Sequence, residues 1–533
     1  MNMKRAKKKQ EIESLQKLPI DVSAFNVMIE NNYLYSDKTE IIHDLITGGR
    51  FYFLSRPRRF GKSLLLSTLQ EIFIGNKKLF KDLWIGKHAR YEWPTHPVIY
   101  LNFSQFSIKD PERFVTSLCW KLDSIGKEYG LDLSDAPFPE LKIQKLVETL
   151  FKENNVVILI DEYDYPLINN LDSLKIASEI RKELKNFFSA IKSLDAYLRA
   201  IFITGVTKFS KTSIFSGLNN LDDVTTDPRA ATLLGYTHAE VEEYFDLFIK
   251  KQSKIKKIPE NEIKKDLKEW YNGYRFSDAQ IRVYNPFSIL YYFKKQKLEN
   301  YWFASGTPGF LIELLKNQYQ DLEDLDKAQL TSTSLGIFDI ESLPLITVLF
   351  QMGYLTINAY DPHKNKYTLM YPNAEVRESF KKYLLAAYSQ ERIPTIEKSL
   401  SELGQALEKH NVDSFCTILQ GLLAQIPYQL HIPQERYYHS LFQLICSLLD
   451  IEAQSEISTD KGRIDLVIIT KKDIYIFEIK LEAGSSAALH QIEERRYYEL
   501  FLSKKKKITL IGLSFSRKKS KKGLFLDWKI KDL

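Results

Sequence analysis

The sequence predicts a multidomain α/β protein, and three observations carry that expectation. A short apolar run, Phe51-Tyr-Phe-Leu-Ser55, passes through a loop, Arg56 to Gly61, into Lys62-Ser63 and a helical pattern. A fully apolar run, Val156-Val-Ile-Leu-Ile160, ends in Asp161-Glu162. Near the C-terminus two further strand-like runs, Gly462 to Thr470 and Ile474 to Leu481, hold Asp465, Glu478 and Lys480 among β-branched and aromatic residues. Strands alternating with helical patterns point to parallel-sheet layers. Ionic groups inside buried strands need compensation, because an unpaired buried charge costs several kcal/mol.

In the first segment the loop between strand and helix carries Arg59, Gly61, Lys62 and Ser63. Such a loop offers backbone N–H groups and a helix N-terminus to phosphate, with the lysine on the β and γ groups and the serine hydroxyl on Mg²⁺. The usual pattern opens on glycine, where this chain has Arg56. Asp161-Glu162 stands at the C-terminal end of its strand, where open parallel sheets build Mg²⁺-nucleotide chemistry. Asp161 is expected to hold the metal through water and Glu162 to polarise the attacking water. A third strand, Leu198 to Val206, brings Thr204 near its end to sense the γ-phosphate. The expected ligand is ATP with Mg²⁺, and binding is better supported than hydrolysis.

At the other end, a two-residue turn between Thr470 and Asp473 would set Asp465 opposite Glu478, with Cβ atoms roughly 5 Å apart. Lys480 lies two residues further and shares their face. A slip of one residue would send the carboxylates to opposite faces. Converging carboxylates ask for a hard cation with oxygen ligands, Mg²⁺ or in its place Mn²⁺. With Lys480 orienting a water or stabilising charge on phosphorus, this chemistry is phosphodiester hydrolysis. The plain alternative is a hairpin with an internal salt bridge.

Gly462-Arg-Ile-Asp465, Glu478-Ile-Lys480 and a following helix with Gln491 and Tyr497 or Tyr498 resemble the PD-(D/E)XK nuclease superfamily, in its RecB-like branch. The resemblance implies a restriction-endonuclease-like α/β domain in which Asp465 and Glu478 hold the metal, Lys480 serves catalysis and Gln491 and Tyr497 support the site. It also implies a ligand from an upstream helix, here about Gln434 to Leu449, where Glu435 and His439 stand one turn apart. Ser55-Arg-Pro-Arg-Arg-Phe-Gly-Lys-Ser63, Asp37-Lys-Thr39, Thr204-Gly-Val-Thr-Lys-Phe-Ser210, Ser216-Gly-Leu-Asn219, Tyr271-Asn-Gly-Tyr-Arg-Phe276 and Asn285-Pro-Phe-Ser288 resemble a bacterial AAA-ATPase-like family commonly fused to such a nuclease. Arg56 in place of glycine is normal for that family. The implied order is a basic tail (1–18), a P-loop AAA-like ATPase core (19–235), a helical lid and connector (236–330), a winged-helix-like module (331–395), a helical connector (396–430) and the nuclease-like domain (431–533). AAA-type sites often lie between subunits, so a homo-oligomer is implied as well.

Composition sets the remaining bounds. With 533 residues, 44% hydrophobic and 27% charged, the chain can bury several cores. No apolar run reaches membrane-spanning length, and the N-terminal lysines are not followed by an apolar signal segment. Cys119, Cys416 and Cys446 form neither a disulfide framework nor a zinc pattern, which fits a cytoplasmic protein. The net charge of +7 is concentrated late in the chain, at Lys504 to Lys507 and Arg517 to Lys522, where contact with nucleic acid, DNA in the first place, is expected. Arg275 is read as structural unless it reaches a nucleotide. The whole suggests ATP controlling a nuclease. A non-enzymatic ATP switch and an ATP-driven DNA translocase are the alternatives.

Overall fold

The run Val156–Asp161 is buried at all six positions, as its lack of alternation requires. It lies inside a five-stranded, wholly parallel sheet in the order β2-β3-β4-β1-β5. The strands are β1 (Phe51–Ser55), β2 (Val98–Asn102), β3 (Val156–Asp161), β4 (Leu198–Gly205) and β5 (Asp222–Asp223). In this computed structural model residues 15–209, 214–215, 218, 220–303, 310–311, 314, 325, 328–336, 341, 343–426, 435–449, 451–517 and 524–533 are described. The N-terminal lysines, Ser210, Ser216, Gly217, Asn219 and Lys518–Lys522 lie outside them, as do the side chains of Glu435 and Arg517. The chain forms two compact units, Met1–Phe310 with Lys327–Val376 and Leu311–Asp326 with Arg377–Leu533.

In the first unit the helices Lys62–Phe73, Pro111–Glu128, Pro139–Leu150 and Leu174–Ser193 accompany the sheet. Asp110 caps the second of these by accepting from the Arg113 N–H at 2.8 Å, with Pro111 in the first turn. A helical group follows: His238–Tyr244, opened by a reciprocal Thr237/Glu240 capping box, then Asp246–Lys256, Glu260–Tyr271 and Pro286–Lys295. Its core includes Phe245 stacked on Phe293 at 5.1 Å. Next come a helix, Leu345–Gln351, and a small antiparallel sheet in the order β6-β8-β7. Its strands are β6 (Gln329–Thr331), β7 (Thr356–Asp361) and β8 (Lys366–Met370). A helix thus precedes a hairpin here, and β6 adds a third strand to it. This module packs on the nucleotide core: the Arg275 N–H donates to Thr356 Oγ1 at 2.7 Å and the Lys208 N–H to Gln351 Oε1 at 2.8 Å. Arg275 is structural, its buried guanidinium donating to the carbonyls of Ser277, Asp278, Ala279 and Asn358.

The second unit is built on a mixed sheet in the order β13-β12-β11-β10-β9. The strands are β9 (Glu452–Thr459), β10 (Gly462–Ile469), β11 (Asp473–Leu481), β12 (Lys507–Arg517) and β13 (Leu524–Asp532). Only β11 and β12 run parallel, joined by the helix Ser485–Arg495 and a 3₁₀ segment, Tyr497–Lys504. The helix approaches β12 closely at Gly512, where an added Cβ would lie 2.4 Å from the Ser485 carbonyl oxygen. The stretch read as a helical connector is two helices, Ile393–Glu408 and Val412–Ala424, that pack on this sheet. Phe415 meets Phe477 at 5.8 Å and the Tyr475 hydroxyl donates to the Leu407 carbonyl at 2.7 Å. Lys-Lys makes a tight turn because Thr470 stiffens it: its hydroxyl accepts from the Asp473 N–H at 2.9 Å.

Candidate functional site

Two clefts gather the residues singled out in the sequence, one in each unit. In the first, Gly61 has φ 95° and caps the helix Lys62–Phe73, so the left-handed turn that leads from the phosphate loop into the helix falls on glycine. The Ser63 hydroxyl donates to Asp161 Oδ2 at 2.6 Å and the Thr204 hydroxyl to Asp161 Oδ1 at 2.6 Å, while Tyr100 stands 3.4 Å from Oδ2. Asp161 is 0% exposed, and the flanking strands aim hydroxyls at it from both sides. Thr204 therefore orients Asp161, and its hydroxyl proton is committed to that carboxylate.

Lys62 is buried and donates to the carbonyls of Arg56 at 2.9 Å and Pro57 at 3.0 Å. Burial lowers its pKa, and Asp161, Glu162 and Asp164 counter part of that effect. Glu162 holds φ 51°, an uncommon conformation for a side-chain-bearing residue. Arg56 explains the missing glycine: its guanidinium, 1% exposed, donates to the carbonyls of Ser55, Thr225 and Ala230 and lies 4.2 Å from the Phe276 ring centroid. Burial brings its pKa down to about 9, so it stays charged at neutral pH and knits the loop to the segment after β5. A cleft of about 650 Å³ is lined by Arg58, Arg59, Gly61, Lys62, Ser63 and Glu162, together with Phe287 and Tyr291. This volume suits a nucleotide.

Asp164 was missed by sequence reasoning. It is 1% exposed, and its carboxylate accepts from the Val206 N–H and from both the N–H and hydroxyl of Thr207, tying β3 to the end of β4. Burial raises its pKa against those bonds. The available signal was the acid spacing in Asp161-Glu-Tyr-Asp164, facing Thr204 and Thr207.

In the second unit the ladder pairs Leu466 with Phe477 and Ile469 with Ile474, the register that a turn between Thr470 and Asp473 requires. Asp465 and Glu478 come next on that ladder. Asp465 Oδ2 accepts from the Ile479 N–H at 2.8 Å, and its Oδ1 lies 3.4 Å from His439 Nε2. His439 sits on the helix Glu435–Cys446, and its Nδ1 is 3.1 Å from Gln443 Nε2. Glu478, 1% exposed, accepts from Lys480 Nζ at 3.1 Å and from the Gln491 amide. Tyr497 lies beyond the helix that carries Gln491, after a left-handed break at Arg496, and is buried against Ile464 and Val467. The surrounding cleft, about 600 Å³, is lined by Arg463, Asp465, Glu478, Lys480, Gln491 and Arg495.

Two carboxylates meeting beside a lysine fit Mg²⁺, which takes one or two protein carboxylates and completes its shell with water and phosphate oxygens. Among the described residues no three of His, Cys, Asp and Glu group as metal ligands. Lys504 to Lys507 do not flank this cleft. Lys507 pairs with Asp473 and Gly512 with Glu478, so the lysines stand about 17 Å along the sheet from Glu478. Lys506 and Lys507 are used locally, on the Thr470 carbonyl and on Asp532. Among the described residues, no helix is long and apolar enough to cross a membrane.

Comparison with known proteins agrees with both halves. The family described as Predicted AAA-ATPase matches residues 19–215, and the PD-(D/E)XK nuclease superfamily matches 433–523. A protein of Azotobacter chroococcum mcd 1, known as the uncharacterized protein in vnfD 5'region, is 35% identical over 519 residues, covering 95% of this chain and 97% of that one. The arginine-bearing phosphate loop on a parallel sheet and the Asp465/Glu478/Lys480 hairpin on a mixed sheet thus place the chain in the predicted AAA-ATPase family, with a C-terminal domain of the PD-(D/E)XK nuclease superfamily.

Proposed function

We propose that the chain is a cytoplasmic DNA phosphodiesterase controlled by ATP bound at its phosphate loop. The observation that carries the nuclease reading is the meeting of Asp465, Glu478 and Lys480 at one cleft, with each carboxylate held by a donor from the protein. Asp465 and Glu478 are the residues to hold Mg²⁺ or Mn²⁺ there, with His439 beside Asp465 and Glu435 on the same helix. When bound, the ion supplies Lewis acidity and a water acidified toward neutral pH. Lys480 stabilises charge on the phosphorus, Gln491 fixes the Glu478 carboxylate, and Tyr497 supports the cleft wall beside Gly462. In the other cleft Ser63 and Asp161 would hold Mg²⁺ on ATP, with Lys62, Gly61 and Arg59 on the phosphates, Thr204 aiming Asp161 and Glu162 addressing the attacking water. Protection against mobile DNA is the purpose this pairing of switch and nuclease suggests.

The test is cleavage of linear, circular and single-stranded DNA by the protein and its Asp465→Ala variant, with Mg²⁺ or Mn²⁺, with and without ATP. Cutting lost in the variant and altered by ATP supports the reading, while cutting that survives Asp465→Ala removes it. A second reading is a switch that binds nucleic acid through a nuclease fold without cutting, in which Lys480 serves only as the ion-pair partner of Glu478. DNA retention by the protein with no cleavage, and no Mn²⁺ binding lost on Asp465→Ala, would select it.

A further inference from the structure

The phosphate loop contains three arginines, Arg56, Arg58 and Arg59, and the fold gives each a different place. Arg56 is consumed by the carbonyls of Ser55, Thr225 and Ala230. Arg59 holds φ 65° at the exposed rim with its guanidinium 5.0 Å from the Phe287 ring centroid. Arg58 is fixed through its backbone, because its carbonyl accepts from the Trp302 indole N–H at 2.9 Å. The preceding Pro57 lies against Gly353, where an added Cβ would come within 2.6 Å of the proline ring. Arg58 lines the cleft that also holds Lys62, Ser63 and Glu162, near enough to Lys62 that its charge adds to burial in depressing that ammonium. Among the described residues it has no ion pair and no side-chain hydrogen bond. A cation on an anchored backbone, lining the same nucleotide-sized cleft as a second cation, is placed for an anion.

We propose that Arg58 is a catalytic arginine supplied in cis, its guanidinium gripping the γ-phosphate of ATP bound at the loop. This rests on the nucleotide reading above. As the oxygen of water forms a bond to the γ-phosphorus, the bond from that phosphorus to the β,γ-bridging oxygen breaks and its electron pair leaves on ADP. The water proton passes to Glu162 and on to solvent. Charge grows on the bridging and equatorial oxygens during this step, and a planar guanidinium holds two of them at once, which an ammonium cannot. The site then needs no arginine from a second copy of the chain.

The test compares the full-length protein with R58A, R58K and K62A variants in Mg²⁺ with ATP or ADP, measuring affinity for each nucleotide, single-turnover hydrolysis and thermal melting. An arginine of this kind is worth on the order of 10³-fold or more in rate. R58A is expected to lose at least about 100-fold in hydrolysis and to bind ATP no better than ADP, with unchanged melting; R58K is expected to recover binding but not rate. Added guanidinium should restore part of the R58A rate. Hydrolysis per chain should not depend on chain concentration. R58A with wild-type rate and wild-type preference for ATP overturns the assignment, as does a per-chain rate that climbs with concentration. The two readings separate cleanly, since R58A without effect beside a K62A variant that loses ATP defeats Arg58 alone, whereas K62A without effect defeats nucleotide binding itself. Were the protein to hydrolyse no ATP, loss of the ATP-over-ADP preference in R58A would decide the matter.

Discussion

Glu375 links the phosphate loop to pH. It is 0% exposed on the first turn of the helix Ala374–Ser389, where one carboxylate oxygen accepts from the Ser288 hydroxyl at 2.7 Å and the other from the Trp302 N–H at 2.7 Å. The indole of that tryptophan holds the Arg58 carbonyl. Burial outweighs these bonds and pushes the pKa from 4.5 to about 8. At about 1.4 kcal/mol per pKa unit, ionising Glu375 inside the fold costs on the order of 5 kcal/mol more than in the unfolded chain. The sign follows from the direction. Below 4.5 both states hold the proton; between 4.5 and about 8 only the folded state does, so stability falls steadily; above about 8 the loss is complete. Glu375→Gln removes this titration and keeps a hydrogen-bonding side chain of nearly the same shape. Urea unfolding of the first unit, followed from about pH 6 to about pH 9, should therefore slope down in the wild type and flatten in the variant. The variant should become the more stable of the two near the alkaline end. ATP affinity should hold steady up to about pH 7 and weaken only as the pH passes about 8, where Glu375 ionises inside the fold, and in the wild type alone, because the buried charge draws the segment holding Trp302 toward water. Parallel pH profiles for the two proteins, in both stability and affinity, would refute the reasoning.

Two further outcomes test the second unit. Lys480→Met should abolish DNA cleavage while Mn²⁺ binding, measured by electron paramagnetic resonance, persists or tightens, since a cation beside Glu478 is gone. Gly512→Val forces a Cβ to within 2.4 Å of the Ser485 carbonyl oxygen, so the helix carrying Gln491 must lift from β12; strain of this kind costs about 1–3 kcal/mol or more, and limited proteolysis should cut the C-terminal unit while ATP affinity stays at the wild-type value.

What the sequence disclosed, it disclosed through patterns with one physical meaning. The β10/β11 register was readable from length, because only Lys471 and Lys472 separate the two runs, and the ladder pairs Leu466 with Phe477 and Ile469 with Ile474 as that short turn requires. Val156–Ile160 was readable for the same reason, as an apolar run too short for a helix. The strand β2 was hidden because Val98–Asn102 mixes tyrosine and asparagine into an apolar run, and β9 because Glu452–Thr459 is an edge strand dominated by polar residues. β13 does alternate, with Leu526, Trp528 and Ile530, but the lysines and aspartates between them mask the apolar face. Arg56 and Asp164 were illegible in a different way. Their partners, Thr225 and Ala230 for one and Val206 and Thr207 for the other, are far away along the chain, and only packing brings them within reach.

The placement of Lys62 carries one more consequence. Its ammonium donates to the carbonyls of Arg56 and Pro57, two residues that downstream segments hold in place: Phe276 under the Arg56 guanidinium and Gly353 against the Pro57 ring. When the ammonium turns to a phosphate group, those carbonyls give up a charged donor in a buried setting, and a buried acceptor left unsatisfied costs about 1–3 kcal/mol. That cost stands unless the loop rotates its carbonyls to other donors, and rotation displaces Pro57 from Gly353 and Arg58 from Trp302. Binding at the loop is therefore felt at the module that includes β7 and β8, through contacts within the first unit. Amide hydrogen exchange offers the check: ATP should change protection not only across 56–64 but also around Gly353 and Trp302. A response confined to the loop would mean that Lys62 swaps partners without moving the backbone, and that the aromatic clamp serves to hold the loop and transmits nothing.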